Sequence, residues 1–225
     1  RDVGRLLRAG FEVRPGLGGA FDRLYEWVLD RDPEVSNECS RIALVEGRVV
    51  GHALLAPRSF VLDGVTFPGG ILAMVVVESD YQGRGIGTAL VRDAEALARS
   101  WGMVLLHLAG DLAFYGRFGY VDGYRACRAE GDVAALPRDG SRHMRGADAR
   151  DADELARLSR TEAPAGAVSA SEDRWRFVLA TRHPFGLLST NDAHLGFLAE
   201  EDFCLVLEDE GRVQGAVRAA GGRET

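Results

Sequence analysis

The chain has 225 residues, of which 46% are hydrophobic and 27% charged. At about 150 residues per domain this is one large domain or one domain with part of a second, and the mix excludes a disordered tail, a collagen and a coiled coil. Its 27 basic and 34 acidic residues give a net charge of -7, a surface that repels nucleic-acid phosphates and favours cationic partners. All 27 basic residues are arginine, which closes every mechanism that needs a lysine amine: P-loop NTPases, protein kinases and pyridoxal-phosphate Schiff bases. Cys39, Cys127 and Cys204 are far apart, without CxxC spacing, so neither a disulfide framework nor a thiolate zinc site is indicated. His52, His143, His183 and His194 show no metal spacing and are given no role, and no metal is expected. There is no apolar signal core and no apolar run of the roughly 18 residues a membrane span needs, so a cytoplasmic location without membrane attachment is expected. The chain opens on Arg1, which points to a piece of a longer protein.

In chain order, residues 11–14 predict a short strand, and Phe21, Leu24, Tyr25, Val28 and Leu29 fall at helical spacing. Ile42 to Val45 and Val49 to Leu55 predict a hairpin turned at Glu46-Gly47-Arg48. Ile71 to Val77 is rich in β-branched residues and predicts a buried strand. A glycine-rich turn follows, then a helix from Thr88 carrying Leu90, Val91, Ala94, Leu97 and Ala98 and stopped by Gly102, then a strand over Met103 to Leu108.

Past Pro137, Arg138-Asp139-Gly140-Ser141-Arg142 has the composition of a linker, and the pattern then restarts. Asp151 and Glu154 predict a capping box for a helix with Leu155 and Leu158, and Trp175, Val178 and Leu179 mark a further helical face. Glu210-Gly211-Arg212-Val213-Gln214-Gly215 repeats Glu46-Gly47-Arg48-Val49-Val50-Gly51, again behind an apolar strand, Phe203 to Leu207. This order predicts a duplication, with a first domain over 1–137 and a partial or degenerate second over 138–225.

The chemistry is concentrated in Gln82-Gly83-Arg84-Gly85-Ile86-Gly87-Thr88, between the predicted strand and helix. Glycines at alternate positions bare the backbone, and the helix start behind them adds free N–H groups and a favourable dipole, so an anion such as a phosphate should sit there. The dinucleotide fingerprint is excluded, because Leu90 stands where its third glycine belongs, and no lysine follows to make a P-loop.

This loop resembles the pyrophosphate loop, Q/R-x-x-G-x-G/A, of the GNAT superfamily of acyl-CoA-dependent N-acyltransferases. Phe114-Tyr115-Gly116-Arg117-Phe118-Gly119-Tyr120 resembles a second segment of that family, and with Leu108-Ala109-Gly110-Asp111 before it is similar to the bacterial YhbS-type subgroup. The resemblance covers roughly residues 8–137. It implies an α/β fold with a mixed sheet and splayed central strands, followed by a partial second GNAT-like unit. A complete tandem protein would need about 300 residues.

The resemblance further implies an N-acetyltransferase that moves an acetyl group from acetyl-CoA directly to a primary amine of a small molecule or peptide. That acceptor would be cationic, and homodimeric assembly is left open. Pantetheine would bond to the main chain at Val75 and Val77, and the pyrophosphate to N–H groups of Gln82, Gly83, Arg84, Gly85, Ile86, Gly87 and Thr88, with Arg84 able to reach a phosphate. Tyr115 matches the residue that protonates the leaving thiol, and a main-chain N–H near Val77 would polarise the carbonyl. An alkyl amine with pKa about 10.4 is charged at neutral pH, so a base is needed. The family's base positions correspond to Ile71 and Ala73, which are apolar. Glu78 is the nearest carboxylate, although alternation places it opposite Val75 and Val77. His107 is a lesser candidate, and Asp111 is read as the cap of the short helix carrying Tyr115. The missing base motivates a second reading, a non-catalytic acyl-CoA sensor or scaffold; an aminoglycoside-modifying enzyme is a subtype of the first.

Overall fold

The computed structural model describes residues 2–12, 17–123, 143–162, 167–181, 201–209 and 212–221. Helices α1 (Asp2–Gly10) and α2 (Leu17–Arg31) precede the strands β1 (Ser40–Val45), β2 (Arg48–Leu62) and β3 (Val65–Val77). Helix α3 (Ile86–Ser100), β4 (Leu105–His107) and α4 (Leu112–Tyr115) follow. The chain then gives β5 (His143–Gly146), α5 (Ala152–Thr161), β6 (Ala167–Ser169), α6 (Glu172–Thr181), β7 (Glu201–Asp209) and β8 (Arg212–Gly221). Among the described residues no helix is long and apolar enough to cross a membrane.

The first sheet runs β1-β2-β3-β4, antiparallel except for the parallel pair β3-β4, and is the mixed sheet expected. Its two faces bury separate cores. Leu6, Leu7, Leu24 and Val28 of α1 and α2 pack with Leu54, Ala56, Ile71, Met74 and Val76. Leu90, Val91, Ala94 and Ala98 of α3 pack with Ala53, Leu55 and Leu72. Each helix presents an apolar stripe to one face, because side chains on a strand alternate between faces and those on a helix recur every third or fourth residue.

Between β2 and β3 alternation is broken, and the break shapes the molecule. Opposite Ala53 the register of β3 slips, so that Met74 and Val75 both stand between the pairs His52↔Val76 and Leu54↔Ala73. Met74 takes φ 53, in the left-handed region that a bulky residue rarely adopts. Ala73 and Met74 consequently face the α1/α2 core in succession, and Val75 and Val77 are turned to the α3 face. Without the bulge, Val75 and Val77 would lie on the α1/α2 side.

Several sequence expectations change. Residues 11 and 12 are not strand, while 13 and 14 lie outside the described residues, and helix α1 before them was not anticipated. Strands β2 and β3 run further than the apolar runs, to a hairpin whose Asp63 (φ 50) and Gly64 (φ 76) form its tight turn. The capping box sits one turn earlier than Asp151 and Glu154: Asp148 accepts from the Arg150 N–H, and the Asp148 N–H donates to Asp151. Asp151 is committed instead to Arg145, and Glu154 to Arg157. The linker 138–142 lies outside the described residues, as do the turn residues Glu210 and Gly211.

The later elements resemble the early ones in register. In β1-β2, Ala43 faces Gly51, Leu44 faces Val49 and Val45 faces Arg48, with a slip after Ala43. In β7-β8, Leu207 faces Gly215, Glu208 faces Val213 and Asp209 faces Arg212, with a slip after Leu207. The later segment also joins the first sheet, since β6 pairs with β2 through Ser59↔Ser169, Phe60↔Val168 and Val61↔Ala167.

Candidate functional site

The pairing of β3 with β4 ends at Ile71↔His107, whereas β3 continues to Val77. Past that point a groove opens between the end of β3, the start of α3 and α4. Val75, Val77, Gln82, Gly83, Gly85, Ile86, Gly87, Thr88, Asp111, Phe114, Tyr115 and Arg117 line it. The strand end, the glycine-rich turn and the aromatic segment singled out in the sequence thus meet in one place.

The turn is built as the glycines require. Gly83 (φ 73) and Gly85 (φ 81) are left-handed, and a Cβ on either would meet nothing within 4 Å, so it is backbone conformation and not crowding that selects glycine. Gly85 is the N-cap of α3, and no side chain caps the helix. The first intrahelical bond runs from the Ala89 N–H to the Gly85 carbonyl (2.9 Å), so the N–H groups of the first turn before it have no partner within the helix. The Gln82 amide donates to the Val77 carbonyl (3.0 Å) and fastens the turn to the strand. Arg117 donates to the Thr88 hydroxyl (3.1 Å) and lies 4.3 Å over the Phe114 ring, tying the α4 turn to the start of α3. Arg84 is exposed and stacks 5.1 Å over Tyr81. The result is an exposed, positively polarised backbone cradle that suits a phosphate or pyrophosphate.

Asp111 caps α4, accepting from the Ala113 N–H at 2.9 Å, as its place in the sequence predicts. That cap positions Tyr115, whose ring occupies the space left by Gly110: a Cβ there would lie 2.3 Å from Cε2 of the tyrosine. The ring meets Phe114 edge-on at 4.9 Å and Tyr120 at 5.9 Å. Burial pushes the Tyr115 phenol above its ordinary pKa, so it carries its proton at neutral pH and can donate it. His107 faces the neighbouring hollow with Tyr115 and Tyr120, and burial pushes it down to about 4, leaving it neutral.

Glu78 is placed elsewhere. It is not among the residues lining the groove; its carboxylate pairs with Arg5 (2.9 Å) and with Arg48, and its own N–H donates to the Val50 carbonyl (2.9 Å). The side chain ties α1 to the β2-β3 hairpin. Alternation in the sequence already pointed it away from Val75 and Val77, and two guanidinium groups account for where it went.

Sequence reasoning missed what lies beneath Val75. Nδ1 of the fully buried His52 is 3.0 Å from the Met74 carbonyl at the bulge. The peptide Met74–Val75 is trans, so its N–H points opposite to its C=O, away from His52. Val75 and Val77 both line the groove. The signal available was a lone imidazole inside an otherwise apolar strand; nothing in the sequence marked Met74.

Comparison with known proteins agrees with this geometry. A model described as the acetyltransferase (GNAT) family matches residues 5–120. No curated protein sequence matches the chain. Among solved structures, a GCN5-related N-acetyltransferase from Kribbella flavida is similar, with a TM-score of 0.61 at 20% identity over 98% of this chain and 51% of that one. A GCN5-related N-acetyltransferase from Anabaena variabilis gives 0.63 at 15% identity over 96% and 50%. Eis1 from Mycobacterium abscessus gives 0.55 at 21% identity over 89% and 50%. The chain thus spans about half the length of each of these proteins.

Proposed function

The chain belongs to the acetyltransferase (GNAT) family, and from that premise we propose that it transfers an acetyl group from acetyl-CoA to a primary amine. The observation that carries this reading is the groove itself: an uncapped helix start with left-handed glycines at one end and a protonated, half-buried tyrosine at the other, beside a strand that has parted from its neighbour. Bound acetyl-CoA would supply a thioester-activated acyl group. Gln82 through Thr88 would hold the pyrophosphate by main-chain N–H groups, and Val75 and Val77 the pantetheine by backbone bonds. The Val75 N–H would meet the negative charge that develops on the carbonyl oxygen, and Tyr115 would protonate the departing sulfur.

The acceptor in this reading is a small-molecule or peptide amine that arrives as a cation, which the acidic total charge favours. Glu78, engaged by two arginines, serves better as a clamp on α1 than as the base. The matched hairpin registers and the repeated Glu-Gly-Arg-Val-x-Gly support reading 138–225 as a partial second GNAT-like unit. The test is calorimetric titration with CoA followed by a thiol-release screen across amines. Gly85→Glu is expected to abolish CoA binding, because a side chain and a negative charge both oppose the pyrophosphate. Tyr115→Phe should keep binding and slow turnover about 10- to 1,000-fold. CoA binding with no thiol release for any amine would instead identify an acyl-CoA sensor.

A further inference from the structure

A single file of polar side chains runs through the α1/α2 core to the bulge, and its hydrogen-bond directions can be worked out. The Met74 carbonyl can only accept, so the His52 Nδ1 at 3.0 Å carries the proton. Burial pushes His52 down to about 4; the ring is neutral, and its Nε2 is an acceptor. The Ser40 Oγ at 3.0 Å must then donate to Nε2, and it accepts from the Tyr25 hydroxyl at 2.9 Å. Tyr25 also packs edge-on against the imidazole, with centroids 4.9 Å apart. Every proton points the same way, from Tyr25 through Ser40 and His52 into one peptide carbonyl.

We infer that Tyr25, Ser40 and His52 are positioning residues for acyl transfer: they hold the Met74–Val75 peptide in its bulged orientation and polarise it, so that the Val75 N–H is aimed at the acyl carbonyl. One observation and one principle point to such a device. Met74 sits at φ 53, a conformation unfavourable for its side chain that persists only if its surroundings over-determine it. A carbonyl that accepts a strong bond also makes the N–H of the same peptide a better donor, and donors in series reinforce one another. None of the three side chains lines the groove, so they act through the backbone and touch no substrate. The inference rests on the acyltransferase reading.

The test is steady-state kinetics on active-site-titrated protein, with thermal melting and heteronuclear NMR of the imidazole. Tyr25→Phe, which keeps the ring, is expected to lower kcat about tenfold with KM for acetyl-CoA nearly unchanged; loss of a direct oxyanion donor costs about 100- to 1,000-fold, and this residue acts through others. His52→Leu should lower kcat further. His52→Asn, whose amide can take the place of Nδ1 and donate to Met74, should recover part of it, while His52→Gln, which reaches toward Ser40 instead, should not. NMR should show the Nδ1-protonated tautomer near neutral pH. If kcat followed melting temperature across Leu, Asn and Gln regardless of which could reach Met74, or if the Nε2-protonated tautomer were found, the relay would be overturned. A wild-type protein that transfers no acyl group to any amine sinks the acyltransferase reading and the relay with it, whereas an active wild type with an unaffected Tyr25→Phe sinks the relay alone.

Discussion

Two polar clusters hang from the same side of β2, and they are opposite in kind. At His52 the groups are neutral, linked in series and end on a strained peptide. At Arg58 they are ionic: Asp32 accepts from Arg58 at 2.7 Å and from Arg174 at 2.6 Å, with Glu34 at 3.3 and 3.6 Å from the same two arginines. The side chains of Asp32, Arg58 and Arg174 are 2% exposed or less. Burial alone would raise the Asp32 carboxyl, but Arg58 and Arg174 overrule it and hold it below its usual value; Arg58, pushed down to about 10 by burial, remains a cation. The ionic cluster fixes α6 of the later segment to the turn that follows α2 and to β2, helped by Trp27 of α2 against Phe177 (4.6 Å) and by β6 on β2. The difference is between joining distant segments, for which strong Coulomb attraction in a dry site serves, and aiming one peptide, for which directional bonds without net charge serve.

The largest effect expected from breaking this pairing of designs is at Asp32. Asp32→Ala leaves two buried guanidinium groups with only the more exposed Glu34 between them, and denaturant unfolding should show a loss of about 3–5 kcal/mol. The folded remainder should still bind CoA, since the groove lies on the other face of the sheet; lost CoA binding by folded protein would show that the two clusters are coupled.

Second comes pH. His52 is depressed from 6.5 to about 4 in the fold, so as pH falls below 6.5 the unfolded chain takes up this proton first. Stability should decline from there until about pH 4, by roughly 3 kcal/mol from this group. His107, depressed in the same direction, adds to the slope. Asp32 acts lower: its stabilisation is present above the ordinary carboxylate pKa and is lost as pH falls through its depressed value. Unfolding curves of wild type and His52→Asn should separate the steps, the variant losing the His52 share between pH 6.5 and 4 and keeping the acid-side step. The smallest effect is at Tyr25: Tyr25→Phe should cost only about 1 kcal/mol of stability, so any larger change in turnover reports aim and not folding.

The parts of the site that were legible in the sequence are those whose causes are local. Gly83 and Gly85 show in the chain because a left-handed backbone selects glycine, and Asp111 because a cap must lie next to its helix. Tyr115 was legible through the aromatic segment around it. Glu78 was only half legible: alternation gave its direction, but Arg5 and Arg48 come from elements far off in the chain.

By itself the sequence determined the apolar stripes, the glycine turn and the order of strand, turn and helix, because hydrophobic period and backbone freedom are written residue by residue. The tertiary structure alone decided which face Val75 and Val77 occupy. Methionine has no preference for a left-handed backbone; at position 74 it is forced there by a carbonyl bond from His52, a residue of the neighbouring strand that is itself held through Ser40 by a tyrosine on α2. A slip imposed by partners so distant in the chain leaves no periodic mark at the residue that bears it.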